Sequence, residues 1–327
     1  MKKELPEFHV QISHPENKYL IEFVSDSIRT LEGVRAGLPY GGTSGEWGES
    51  RKVWTEQHGT PIGADITYYA GYEDAFYHLD VNFPIDTIKD WTKRFYPSTE
   101  VEENHDELQE YIYDRKPSQR RAYIEFRDLV FGFAPKGMVV VWLCYGGTQK
   151  EVGRYQAQRV EDDQALEAKL FASWSMKRPE VRKMSLIQDA SPEKWDNYRI
   201  KYFWKPAITS ENKNFRLFWV LTEYFNAEYE NKLRPMVLHP KKEKRAIPSL
   251  ITFFWETGKG EKYEGRAFFN WQTTNEQFKN EDNRDNEIQI KIDADNRDFE
   301  VLLNGKSLET VNKRVFTTDR EFKESYR

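Results

Sequence analysis

Few side chains in this sequence sit at the spacings that covalent or acid–base chemistry requires. The stretch closest to a reactive loop is Gly41-Gly42-Thr43-Ser44-Gly45-Glu46-Trp47-Gly48. A nucleophile elbow carries glycine two residues before and after its serine, because so sharp a turn leaves no room for a Cβ. Ser44 has Gly42 before it but Glu46 after it, so the pattern fails. The same stretch does not end in the Gly-Lys-Ser/Thr that lets a loop cradle phosphate, and no Gly-x-Gly-x-x-Gly follows an expected strand. It reads as a connector rich in glycine and serine. The six histidines, His9, His14, His58, His78, His105 and His239, show no His-Glu-x-x-His or similar ligand spacing. His78 falls in an expected strand and reads as a cross-strand packing residue. The single cysteine, Cys144, excludes an internal disulfide and a zinc knuckle. It closes the apolar run from Val139, so it is expected buried and inert.

Two charged clusters remain. Asp293, Asp295 and Asp298 resemble a calcium loop only in part, since Arg297 and Asp298 hold the places that need Asp/Asn and Gly. They read as a solvated hairpin tip. Lys241, Lys242, Lys244 and Arg245 form a basic run that reads as a solvated loop, able to meet an acidic partner. Trp47 and Trp54 lie in a polar segment with little core to bury them. Together with Glu46, Lys241, Lys242 and Arg245 they are the candidate partner-binding residues. No metal or cofactor is expected. Carboxylates are plentiful, so a hydrolase with a dispersed acid pair stays open as a lesser alternative.

The elements that would position these residues are mostly strands. The 327 residues include 10 Trp, 18 Tyr and 21 Phe, a composition suited to sheets. A net charge of −5 argues against nucleic acid as partner. No apolar run approaches the length of a membrane-spanning helix. The start Met1-Lys2-Lys3-Glu4-Leu5-Pro6 has no apolar region of signal-peptide type. The expected location is cytoplasmic, or periplasmic and envelope-associated if a leader was removed.

Strands are expected over residues 7–24, 66–69, 76–83, 122–133, 138–143 and 152–157, with a long loop over 35–62. Helices are expected after Pro84, over Glu161 to Met176 and over Pro179 to Gln188. Residues 100–118 read as a short helix or loop. Tyr198 to Trp204, Phe215 to Tyr229 and Pro235 to His239 read as strands or a strand pair with a helix, and 275–287 as an acidic connector. The sequence also repeats itself. Ile66-Thr67-Tyr68-Tyr69 matches Ile251-Thr252-Phe253-Phe254, and Phe131 to Leu143 parallels Ile290 to Leu303. The expectation is an α+β fold, mainly antiparallel, in two related tandem lobes built on a duplicated hairpin–helix–hairpin unit, spanning 1–192 and 193–327.

The stretch Leu129-Val-Phe-Gly-Phe-Ala-Pro-Lys-Gly-Met-Val-Val-Val-Trp-Leu143, followed by Glu151-Val-Gly-Arg-Tyr-Gln-Ala157, resembles the signature of a bacterial family, domain-of-unknown-function family 2931. Asp65 to Tyr69 with Phe76 to Pro84, and Lys201-Tyr-Phe-Trp-Lys-Pro206, are similar to its other recurrent stretches. The resemblance implies no catalytic residues. It implies membership among lipoprotein-like proteins, hence a lipid anchor in a full-length precursor, although this sequence shows neither leader nor lipid-bearing cysteine. Some similar proteins are encoded beside lipase-type effectors of type VI secretion systems. The function expected is therefore a non-enzymatic immunity protein that binds a cognate effector toxin; the alternative is a carbohydrate- or peptidoglycan-binding module.

Overall fold

A computed structural model describes residues 5–98, 108–120, 122–145, 147–281 and 285–320; the side chains of residues 53–55 and the expectation for His105 lie outside that description. In chain order the elements begin β1 (Glu7–Ser13), β2 (Ile21–Thr30), β3 (Val53–His58), β4 (Pro61–Ala70), β5 (Ala75–Asn82) and α1 (Ile85–Trp91). They continue with β6 (Tyr96–Pro97), β7 (Tyr123–Ile124), β8 (Asp128–Ala134), β9 (Met138–Tyr145), β10 (Thr148–Gln156), β11 (Gln158–Arg159), α2 (Gln164–Phe171), α3 (Arg178–Ser185) and α4 (Glu193–Tyr198). The remainder is β12 (Lys201–Ser210), β13 (Arg216–Tyr224), β14 (Tyr229–Leu233), β15 (Glu243–Ala246), β16 (Pro248–Glu256), β17 (Lys262–Phe269), α5 (Trp271–Lys279), β18 (Asn286–Ile292), β19 (Phe299–Leu303), β20 (Lys306–Ser307) and β21 (Thr310–Thr317). The fold is α+β and mainly antiparallel, as the aromatic and alternating segments imply.

Two compact units divide within α4, close to the boundary expected at Ser191-Pro192. The first holds residues 1–94 and 125–196. The second holds 197–327 and takes in 95–124, a segment expected in the first lobe. Its membership has a physical cause: Leu108, Ala122 and Tyr123 bury themselves with Leu233, beside Trp219 and Met236.

In the first unit β3-β1-β8-β9-β10 form one layer and β2-β4-β5-β11 another. Phe133 meets Phe23 and Tyr68 at 5.3 and 5.1 Å between the layers. All eight residues of β9 are buried. An apolar run without alternation is a strand covered on both faces, and Trp47 covers Trp142 at 5.1 Å on one of them. Cys144 is buried here and forms no disulfide. The turn into β9 needs left-handed backbone at Lys136 and Gly137. The helices α2 and α3 close over the β4–β5 hairpin through Arg178, which binds Asp74, Asp163 and Glu167 at 2.7–2.9 Å.

The second unit repeats this order with one strand added, β14 beside β13. Its layers are β15-β12-β18-β19-β20 and β14-β13-β16-β17-β21. In each unit the opening strand runs parallel to the first strand after the helix, β1 to β8 and β12 to β18. In each, the next long strand pairs with the first strand of the central hairpin, β2 with β4 and β13 with β16. A helix follows each hairpin, α1 and α5, and a second hairpin follows the helix. Tyr68 in β4 and Phe253 in β16, the first strands of the two central hairpins, are both fully buried. Tyr68 stacks on its cross-strand neighbour Tyr77, whereas Phe253 lies over Gly265, whose missing side chain makes room for the ring.

Several local expectations need correction. Residues 7–24 contain one strand and the start of another, separated by a turn. The loop expected over 35–62 contains β3 and opens β4. The span 122–133 is two strands, and 215–229 is a strand, a turn and the start of another. The connector expected over 275–287 begins inside α5. That helix starts where the Asn270 side chain accepts hydrogen bonds from the backbone of Gln272 and Thr273. Its inner face is Thr274, Asn275 and Phe278, and two buried polar residues hide the amphipathic period.

Candidate functional site

The second unit carries a cleft of about 290 Å³ between its layers. β12 supplies Pro206 and Ile208 to its wall, β13 supplies Leu217 and Val220, and the 3-10 turn Met236–Leu238 supplies Met236 and Val237. Alternation places Pro206 and Ile208 on one side of β12, opposite Ile288 and Ile290 of β18. Matching strand with strand, Val10 and Ile12 of β1 stand opposite Leu129 and Phe131 and are fully buried. Pro206 and Ile208 are only half-buried.

The charged groups of the cleft are paired. Arg245, on β15, is 5% exposed, although the basic run was expected to be solvated. Its guanidinium lies 3.1 Å from Glu230 and donates to the backbone carbonyls of Trp204 and Lys241 at 2.8 and 2.9 Å. Burial opposes its charge, but Glu230, Tyr224 and Glu243 outweigh that and hold its pKa above the ordinary arginine range. Glu110 receives Lys232 at 2.7 Å and Lys241 at 3.1 Å. Burial alone would push this carboxyl up; the two ammonium groups prevail and lower its pKa to about 2. Such a group is a poor proton acceptor near neutrality. Lys242 pairs with Asp285. The arrangement suits reception of an apolar group, with polar contacts at the rim, better than proton transfer.

The remaining sequence candidates fall at a corresponding place in the first unit. Glu46 and Trp47 lie on the connection from β2 to β3, the counterpart of the segment from β14 to β15 that carries Lys241 and Lys242. Glu46 is exposed in a tight turn closed with Glu49. Trp47 was expected to lack a core, but it is half-buried, with its ring against Trp142 and 6.3 Å from Trp195. A Cβ at Gly132 would strike both Trp47 and Trp142. The backbone of Trp54 pairs with Val10 in β3, and its side chain lies outside the described residues. His78, expected to pack, is exposed and pairs with Asp65 at 3.1 Å. Asp293 caps its own turn by accepting from the backbone of Arg297 and Asp298. Among the described residues no group of three or more His, Cys, Asp or Glu is arranged to hold a metal, and no helix is long and apolar enough to cross a membrane.

Sequence reasoning missed the cleft walls and its inner pairs. Their one signal is in β14, Tyr229-Glu230-Asn231-Lys232-Leu233, where Glu230 and Lys232 share a strand face and so turn toward the same cleft.

A search of curated proteins finds no match. Among solved structures, the pilus adhesin SpaC from Lactobacillus rhamnosus GG, in its open conformation, is 8% identical, with a TM-score of 0.15. That alignment covers 93% of this chain and 40% of the adhesin; the likeness is too slight to carry an argument. The family described as protein of unknown function (DUF2931) matches residues 9–194, more than half of the sequence and nearly the whole run up to the division between the units. The chain belongs to the DUF2931 family.

Proposed function

We propose that this protein is a binding protein that neutralises an antibacterial effector, of lipase type, by receiving an apolar side chain of that partner in the second unit's cleft. The observation that carries the reading is the cleft itself: apolar walls from Pro206, Ile208, Val220 and Met236, with charges already paired around them. Buried apolar anchors seated in pockets supply most of the energy of tight protein complexes. In this reading Lys241 at the rim and the neighbouring Lys242 orient the partner, Arg245 holds the cleft's frame, and Trp47 braces a loop in the first unit. No Trp side chain among the described residues is exposed, so the alternative carbohydrate-binding reading would have to rest on tyrosine.

The test is co-expression with the product of an adjacent effector gene. A complex surviving gel filtration, and rescue of cells from the effector, are the expected results. Ile208→Trp, which fills the cleft, should weaken the complex by about tenfold or more while the fold is retained. Neither complex nor protection, or a complex indifferent to Ile208→Trp, would sink the proposal.

A further inference from the structure

The second unit holds another cavity, which shares no lining residue with the cleft. It measures about 560 Å³ and is framed by three turns and the end of β21. The turns are those between β12 and β13, β16 and β17, and β18 and β19. Its chemistry is the reverse of the cleft's. Amides, carboxylates and cations converge there with an aromatic ring.

Three features make this a preformed site. Tyr263 stacks on Trp255, with ring centroids 5.3 Å apart at 18°. Its neighbour on the other side, across β21, is Thr317, too small to cover a ring face. The Tyr263 hydroxyl donates to Glu261 at 3.2 Å, so ring and carboxylate are held together. Asn296 is buried in left-handed backbone and accepts from the Trp255 indole at 2.8 Å. That bond, with the Asp293 cap, fixes the turn from which Asp295 and Arg297 project exposed.

Charge decides the ligand class. Lys259 and Arg297 are offset by Glu261 and Asp295, all four of them lining residues. A balanced set gives a free anion or cation no net attraction. It gives hydroxyl groups both acceptors and donors, and an aromatic face suits the apolar C–H surface of a pyranose ring. We propose that this cavity binds an uncharged saccharide, with Tyr263 under the ring and Asp295 and Arg297 on vicinal hydroxyls. The inference needs no exposed tryptophan and is independent of the effector-binding reading.

An array of uncharged glycans, followed by calorimetry with the best of them, tests the proposal. Binding in the micromolar to millimolar range is expected. Asp295→Ala and Arg297→Ala should each weaken it by about tenfold, roughly the worth of one hydrogen bond to a charged group. Both positions are exposed turn residues, so the melting temperature should not move. Tyr263→Leu should also weaken binding, because an apolar residue without a flat face cannot replace the ring. Three results would overturn the assignment: no uncharged glycan binding on the array, affinity unchanged in both turn variants, or binding confined to inorganic phosphate and sulfated sugars.

Discussion

The two units share one strand order and differ in what the corresponding connection does. In the first, the chain between β2 and β3 turns back on the sheet. Ala36 pairs with Ile28, the Asp26 carboxylate accepts from the Leu38 backbone, and Ala36 and Leu38 are buried. In the second, the segment between β14 and β15 stands off, and Met236 and Val237 become the wall of a cleft. A duplicated frame needs only one copy of this connection to finish its core. The other copy packs through Val237 and Met236 on one side and leaves an open wall on the other.

The sharpest way to break this contrast is at Arg245. Its removal takes a close cation from the partly buried Glu230 and the donor from the Trp204 and Lys241 carbonyls, so Arg245→Ala should destabilise the protein by about 3–5 kcal/mol in urea unfolding. Arg245→Met, similar in volume, should cost clearly less if packing rather than the charge sustains the frame. Equal losses would mean that the pairing itself is indispensable.

Next comes a matched pair of truncations. Leu38→Ala empties a buried site and should cost about 2–4 kcal/mol. Met236→Ala touches an already open wall and should cost under about 1.5 kcal/mol. Similar denaturant midpoints for the two variants would refute the distinction between a closed and an open connection. A third substitution probes the matching central strands. Gly265→Ala places a methyl group beneath Phe253 and should cost about 1–3 kcal/mol. An unchanged melting temperature would show that the ring can move aside.

The smallest effect is a pH dependence confined to the second unit. Glu110 has a pKa of about 2 in the folded protein, below its ordinary 4.5. A depressed carboxylate contributes stability that is fully present above the unfolded value and is lost as the pH falls through the folded one. The loss should therefore fall between about pH 4.5 and 2. It should amount to about 1–2 kcal/mol after allowance for solvent screening, and Glu110→Gln should remove it. A pH profile identical in Glu110→Gln and the parent protein would contradict the assignment.

Much of the frame was legible because it rests on local pattern. The consecutive apolar residues Val139 to Leu143 announced a strand covered on both faces, and the match of Ile66 to Tyr69 with Ile251 to Phe254 picked out β4 and β16, the first strand of each central hairpin. What stayed hidden depends on distant partners. Arg245 looks solvated in the sequence because its neighbours are lysines and glutamate. Only the fold brings Glu230 and the Trp204 carbonyl to it. Trp47 looks free for the same reason, since Gly132, which makes room for its ring, lies far along the chain. The cleft is the space between strands that pair with others, and no short window of sequence contains it.

The parallel pairing of β1 with β8 has a consequence for how the molecule comes into being. Ser13 donates to the carbonyl of Phe131 across 118 residues of chain. A nascent polypeptide emerges amino end first, so β1 must wait until β8 has left the ribosome before either can complete its layer. Contacts so far apart in sequence close slowly, because the intervening loop loses entropy before the pairing repays it. The hairpins β4–β5 and β8–β9 have no such delay. In this chain, therefore, the layer that β1 opens can close only after β8 has been made, although β1 can meet β3 earlier.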